Sequence, residues 1–335
     1  MLTGLQGYIR HIHGELGNGR RKRDAETFGG PCQQDAQEFY SFIMDTIDDE
    51  TNIHRDKVRS EAPSNQEALS NEYKKKDGTI VENAMDFWRI HSTTSASIVD
   101  KYFRGLEVFI SMCQNPSCRE EIRKFQTMEV CILSLAEVTR GETDLDHLLV
   151  NHQKHELFQD LVCETCKKPG RTRRPKFARL PDRLAFCLNR FSSGEGRSIM
   201  SGGGGGGSHK IHTKVRFPIR NLDLTKYCAE PDPDMTLAKD PHFAGRMLYD
   251  CYAVTVHVGA GINGGHYYTY VQDEQSRDPT DWFRCNDDMV DRVKIGSSMS
   301  DGGGHHPGGP RDVTEDMYQK NNASAYMVYY RRQGT

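Results

Sequence analysis

Apolar and polar positions alternate with period two through Tyr252, Val254 and Val256, and again through Tyr268 and Tyr270, in the stretch "YDCYAVTVHVGAGINGGHYYTYVQD". Such alternation on both sides of a glycine-rich bend predicts a β-hairpin. His266 follows directly on Gly264 and Gly265, whose missing side chains clear space beside the imidazole. The period changes in "DAQEFYSFIMDTIDDE", where Phe39, Phe42, Ile43 and Ile47 recur at helical spacing and predict an amphipathic helix. Residues 54 to 80 are charged and polar and read as an exposed excursion. From about Val99 to Ala185, strands and helices mix around four spaced cysteines. The stretches "SGGGGGGSHK" from Ser201 and "SDGGGHHPGGP" from Ser300 bury nothing and read as flexible insertions. Strand patterning resumes after each, in "KVRFPI" and "AYMVYYRR", so both are loops within one domain.

At 335 residues the chain has room for one large domain or two. Charged residues make up 27% and net charge is -3, which excludes the strong field of a nucleic-acid binder and the character of an acidic tail. No apolar run reaches the roughly 20 residues of a membrane helix, and the start "MLTGLQGYIRHIHGELG" lacks a signal-peptide core. The expectation is therefore a protein of the cytosol or nucleus, without membrane or nucleic-acid partners. The run "RRKR" at 20–23 reads as a solvated basic loop in preference to a nuclear address. His305 and His306 have no partner spacing and read as solvated loop residues.

Ten cysteines are scattered over a long chain with no export signal, which argues against a disulfide scaffold. Cys113 and Cys118 bracket "QNPS", and Cys163 and Cys166 bracket "ET". Two such knuckles supply four thiolates for a closed tetrahedral zinc site; the alternative is two unrelated pairs of ordinary thiols. Cys131 and Cys187 alternate with apolar residues and read as small core residues. After the His266 hairpin, "DWFRCNDDMVDRV" places Asn286, Asp287 and Asp288 behind an aromatic strand. A histidine acting as general base needs a third group to hold its tautomer, which an Asn or Asp at a strand end supplies. The same residues also suit an ordinary hairpin and turn.

The order of segments resembles the catalytic domain of the ubiquitin-specific proteases, from roughly Asp24 to Arg332. "QQDAQEF" (33–39), "SIVDKYFRG", "LPDRLAFCLNRF", "VRFPIRNLDLTKY", the histidine stretch, "WFRCNDDMV" and "AYMVYYRR" occur in the family's order. The resemblance implies an α+β, papain-like cysteine peptidase fold. Residues 1–105 would form an incomplete thumb and 106–180 zinc-binding fingers. Residues 181–335 would form a palm carrying the insertions 201–208 and 300–310. It makes His266 the general base, Asn286 its orienting partner and Asp287 an auxiliary polar residue, while His257 reads as structural. Gln34 and Asp35 would hold the extended tail of ubiquitin. Cys113, Cys118, Cys163 and Cys166 would bind a structural zinc, and the domain would act as a monomer on ubiquitin and ubiquitinated proteins.

One departure stands out. The family carries its nucleophile in an upstream box of the type glycine, asparagine, threonine, cysteine, tyrosine, and the first 23 residues here hold no cysteine. Cys32, at the expected start of the "QQDAQEF" helix, is placed where a helix dipole favours a thiolate. No asparagine precedes it to form an oxyanion site, so Cys32 reads as an ordinary thiol near the substrate groove. The chain is accordingly expected to be a deubiquitinase domain without its nucleophile segment, inactive alone. The alternative is a nucleophile-free ubiquitin-binding module.

Overall fold

A computed structural model of the protein describes residue 28 and residues 34–55, 78–138, 141–192, 209–261, 264–296 and 312–334. Cys32, the basic run, most of the polar excursion, and residues 201–208 and 300–310 with His305 and His306 lie outside the described residues.

Three helices open the described chain. Helix α1 (Ala36–Thr51) begins where Asp35 caps it, one carboxylate oxygen accepting from the Gln37 and Glu38 amides at 2.8 and 3.2 Å. Capping satisfies donors that the first helical turn leaves unpaired. Helix α2 (Ile80–His91) starts at a reciprocal box between Thr79 and Glu82, and α3 (Ile98–Tyr102) at one between Ser97 and Asp100. The apolar stripe of α1 is only partly covered: Phe42 is buried, whereas Phe39, Ile43 and Ile47 are half-buried. Ala36 and Tyr40, which share the Ile43 and Ile47 side of that stripe, meet the core around Cys187, Phe191, Tyr326 and Met327. The helix therefore meets the palm along one side of its apolar stripe.

From Gly105 the chain is mostly strand. It runs through β1 (Gly105–Cys113), β2 (Glu121–Met128), β3 (Val130–Ser134), β4 (Glu142–Asp144), helix α4 (Leu145–His152), β5 (Glu156–Val162) and β6 (Pro169–Arg179). Strands β2, β1, β6 and β5, in that order, form a separate antiparallel sheet, the fingers, while β3 between them in the chain joins the large sheet. Next come β7 (Arg183–Asn189), β8 (Phe191–Ser192), β9 (His209–Lys210), β10 (Lys214–Arg216), β11 (Leu222–Asp223), β12 (Leu248–Gly261) and β13 (Gly264–Gln272). The chain closes with β14 (Asp281–Asn286), β15 (Met289–Lys294), α5 (Thr314–Tyr318), β16 (Gln319–Lys320) and β17 (Ala323–Arg332).

The palm is an 11-stranded sheet whose main path runs β15-β14-β13-β12-β17-β7-β3, with only β3 and β7 parallel along it. The predicted hairpin is β12 with β13. Its first strand is buried on both faces from Ala253 to His257, with Val254 and Val256 in the main core and His257 packed among Phe191, Tyr267 and Tyr326. Period two marks the strand, and cover on both faces removes the polar one.

Two buried cations brace this sheet. The Arg190 guanidinium, fully buried, donates to the carbonyls of Ala325, Ile211 and Thr213 at 2.6, 3.0 and 2.6 Å. Lys210 donates to the carbonyls of His257 and Asn322 at 2.8 and 2.7 Å.

A third cation ties helices to sheets. Arg104 reaches Asp100 of α3 at 2.5 Å, Asp48 of α1 at 3.2 Å, and Glu129, between β2 and β3, at 2.6 Å. His91 contacts the same Asp100 oxygen at 2.8 Å. The His91 hydrogen bond and Arg104 hold the Asp100 carboxyl well below the usual range, against the opposing effect of burial. Removing one partner of such a group strands the others. Arg104→Met is therefore expected to cost about 3–5 kcal/mol in urea unfolding, with Asp48, Asp100 and Glu129 left facing one another.

Candidate active site

His266 stands near the start of β13, opposite Val258 of β12. Its Nε2 lies 2.5 Å from Asn286 Oδ1, at the end of β14, and 3.7 Å from Asp287 Oδ2. Pairing of β13 with β14 carries Asn286 alongside, and the two-residue turn between Asn286 and Met289 presents Asp287. Asp287 has a left-handed backbone, φ 53°, a conformation Asp tolerates better than most residues. The imidazole is 44% exposed. An amide oxygen can only accept, so the contact puts a proton on Nε2 and leaves the Nδ1 lone pair to take another.

The glycines act differently from the sequence expectation. A Cβ at Gly265 would come within 2.3 Å of His257 Nε2 and 2.5 Å of the Val258 carbonyl oxygen, while one at Gly264 meets nothing within 4 Å. Gly265 makes room for His257, not for His266. His257 is buried beside Phe191 and Tyr267, with ring centroids at 5.4 and 4.8 Å. Burial first, then the charges of Lys210 and Arg190, pull its pKa down to about 4. A histidine held neutral when folded binds fewer protons than when unfolded between its ordinary pKa of about 6.5 and 4, so its contribution to stability is complete above that window and lost as pH falls through it. The His257 ring is expected to show no NMR titration between pH 7 and 5, and His257→Gln to flatten the fall in stability over that range.

Helix α1 adjoins the hairpin at its N-terminus. The second carboxylate oxygen of Asp35 accepts from Tyr326 at 2.6 Å and from Tyr267, next to His266, at 3.4 Å. Gln34 precedes it, half-buried. Asp35 thus joins the helix, β13 and β17 at one point, with His266 one residue from that junction.

Among the described residues no cysteine hydrogen-bonds His266. Cys187 and Cys228 are pushed up to about 12 by burial, and burial also raises Cys131, Cys251 and Cys285. A thiol held protonated is a poor nucleophile. A cavity of about 810 Å³ on the palm, lined by Leu145, Phe217, Pro218 and Leu222 among others, includes none of the His266 group.

In the fingers, the sulfurs of Cys113, Cys118, Cys163 and Cys166 all lie within 4.8 Å of one another, a cluster that can hold a metal ion. Cys113 Sγ to Cys166 Sγ is 3.7 Å and Cys118 Sγ to Cys163 Sγ is 3.9 Å. Four thiolates at tetrahedral bond lengths of about 2.3 Å sit about 3.8 Å apart. All four cysteines are free of disulfides. Glu120 supports the cluster, accepting from Cys163 Sγ at 3.1 Å while its own charge meets Arg171 at 3.1 Å.

The sequence reading missed Tyr267 and Tyr326 as partners of Asp35, Glu120 behind the cysteines, and Arg104. No local spacing marks these residues. Helix α2 did carry a signal, the Thr79-x-x-Glu82 box.

Fingers projecting from a large sheet, with helices packed at its hairpin, make an α+β fold of the papain-like, ubiquitin-specific protease type. The chain belongs to the ubiquitin carboxyl-terminal hydrolase family, whose model matches residues 20–330. It is 27% identical over 275 residues to mouse ubiquitin carboxyl-terminal hydrolase 3, an alignment covering 78% of this chain and 46% of that protein. It is 25% identical over an alignment of 338 residues to ubiquitin carboxyl-terminal hydrolase 46 of Caenorhabditis elegans, covering 92% and 71%. Its fold is similar to that of the SAGA DUB module of Ubp8, Sgf11, Sus1 and Sgf73 bound to monoubiquitin, with TM-score 0.58, 19% identity, and coverage of 92% of this chain and 51% of that one. The same module bound to ubiquitin aldehyde gives TM-score 0.56 and 20% identity, with coverage of 92% and 51%. The chain thus spans about half the length of the mouse relative and of the Ubp8-module chain, 46% and 51%.

Proposed function

We propose that this chain supplies the substrate-binding and proton-transfer parts of a deubiquitinase, a thiol hydrolase that cuts the peptide or isopeptide bond after the C-terminal glycine of ubiquitin. The observation that carries the reading is the 2.5 Å contact of His266 Nε2 with Asn286 on a half-exposed strand end. Asn286 holds the proton on Nε2, so Nδ1 takes the proton of an attacking thiol and returns it to the leaving amine. Asp287, 3.7 Å away, stabilises the imidazolium that forms between the two steps. Asp35 and Gln34, at the helix end beside the hairpin, line the path of ubiquitin's tail. The four fingers cysteines hold a structural zinc; as a closed set of four protein ligands they leave no position for substrate. Ubiquitin and ubiquitinated proteins are the partners, and the cytosol and nucleus the compartments.

The sulfur nucleophile and the oxyanion donor belong, in this reading, to a cysteine box outside the 335 residues. Two versions of the protein test it with ubiquitin aminomethylcoumarin: the 335-residue chain, and the same chain fused behind a family cysteine box. The first is expected to be silent and the second active. Hydrolysis by the first that disappears in Cys32→Ala would make Cys32 the nucleophile and overturn the assignment. Two silent proteins that still bind ubiquitin would instead favour a binding module.

A further inference from the structure

Away from the fingers cluster, three donor side chains from three separate elements converge at the root of the fingers. Glu107 comes from β1, Cys131 from β3 and His152 from the last turn of α4. Their ligating atoms lie within 4.8 Å of one another. His152 Nε2 faces both partners, at 2.9 Å from Glu107 Oε1 and 3.9 Å from Cys131 Sγ. The Cys131 side chain is buried, and those of Glu107 and His152 are 13% and 20% exposed.

We infer that Glu107, Cys131 and His152 form a second metal site, selective for a borderline divalent ion such as Zn²⁺, at the junction of fingers and palm. One carboxylate, one thiolate and one imidazole make a donor set suited to that ion and poorly suited to Mg²⁺ or Ca²⁺, which take oxygen shells. Bond lengths of about 2.0–2.3 Å set tetrahedral donor separations of about 3.3–3.8 Å. The 3.9 Å sulfur–nitrogen distance needs almost no change, and the 2.9 Å oxygen–nitrogen distance opens by a small carboxylate rotation. On binding, the thiol gives up its proton to solvent and the imidazole proton moves from Nε2 to Nδ1, so that sulfur and Nε2 both offer lone pairs.

A metal site needs an entry path. Glu107 also lines a cavity of about 230 Å³ together with Gln126, Thr127 and Met128, and Gln37 and Ser41 of α1 close its other side. The fourth coordination position can face this cavity and take a water. The ion would tie β1 to β3 and α4 beside the helix that carries Asp35.

The test is a titration of the full chain with its fingers cysteines already loaded with Zn²⁺ and weakly held metal stripped by a mild chelator. Added Co²⁺ is expected to bind as one further equivalent, with sulfur-to-cobalt charge-transfer absorption in the near ultraviolet and tetrahedral d–d bands. Cys131→Ser is expected to abolish the charge-transfer band, His152→Gln to abolish the further equivalent, and Glu107→Gln to weaken it about tenfold. Zinc at the fingers, counted by native mass spectrometry, is expected to stay at one per chain in all three. His152 ends a helix at the surface, so His152→Gln decides the matter if Cys131→Ser does not fold. No further equivalent in the starting protein, or one that survives His152→Gln unchanged, would overturn the site and leave a hydrogen-bonded trio.

Discussion

His266→Ala, introduced into the chain fused behind a cysteine box, is expected to lower kcat on ubiquitin aminomethylcoumarin by on the order of 10⁴- to 10⁶-fold while leaving ubiquitin affinity near its starting value. The size follows from what the imidazole does. Without a base the sulfur remains a thiol, and without its conjugate acid the amine cannot leave, so both halves of the reaction fail at one atom. Asn286→Ala is expected to lose about 10²-fold, because it frees the ring to adopt the wrong tautomer but leaves Asp287 within 3.7 Å. The ordering His266 first, Asn286 second, with affinity unmoved, is the signature to measure. Equal losses from both, accompanied by weakened binding, would mean that the pair merely shapes the hairpin.

Metal loss should act on a different part of the molecule. Chelation, or Cys163→Ser, is expected to melt the fingers while the palm persists. A structural zinc contributes on the order of 10–16 kcal/mol to a domain that depends on it, against the 5–15 kcal/mol that holds a typical domain together. The fingers have little else at their tip, since β5 is exposed along its whole length. The palm has its own core, including Phe186, Tyr249, Val254 and Tyr330. Hydrogen exchange should therefore rise sharply at the two knuckles and along β5, over residues 113–118 and 156–166, and stay slow through β3, β12 and β17. Cys163→Ser with unchanged exchange and unchanged zinc content would reduce the four sulfurs to ordinary thiols.

What could be read in advance was whatever the chain writes locally. The β12–β13 hairpin, the closing strand and the paired cysteine knuckles each declare themselves within a few residues of sequence. The adjacency of His266 and Asn286 followed from the order of segments, and strand pairing supplies its geometry. Contacts that depend on tertiary placement left no such mark. Arg104 gathers carboxylates 56, 4 and 25 positions away, and Tyr326 reaches Asp35 across 291. The apolar stripe of α1 marks the side that meets the palm, but Phe39, Ile43 and Ile47 stay half-buried because the extent of cover depends on neighbours, not on periodicity. Cys131 reads correctly as a core residue, yet only the fold brings Glu107 and His152 beside it.

Arg190 and Lys210 flank the glycine-rich stretch and anchor both of its ends to carbonyls of the palm. The sheet is thus locked on either side of the insertion by groups that do not depend on what lies between. Each doubling in length of a connection between fixed ends costs only about 0.6 kcal/mol in closure entropy. The span between Ser192 and His209 is therefore a splice port: evolution or an engineer can lengthen it, or seat a whole folded module there, and the register of β7, β12 and β17 need not change.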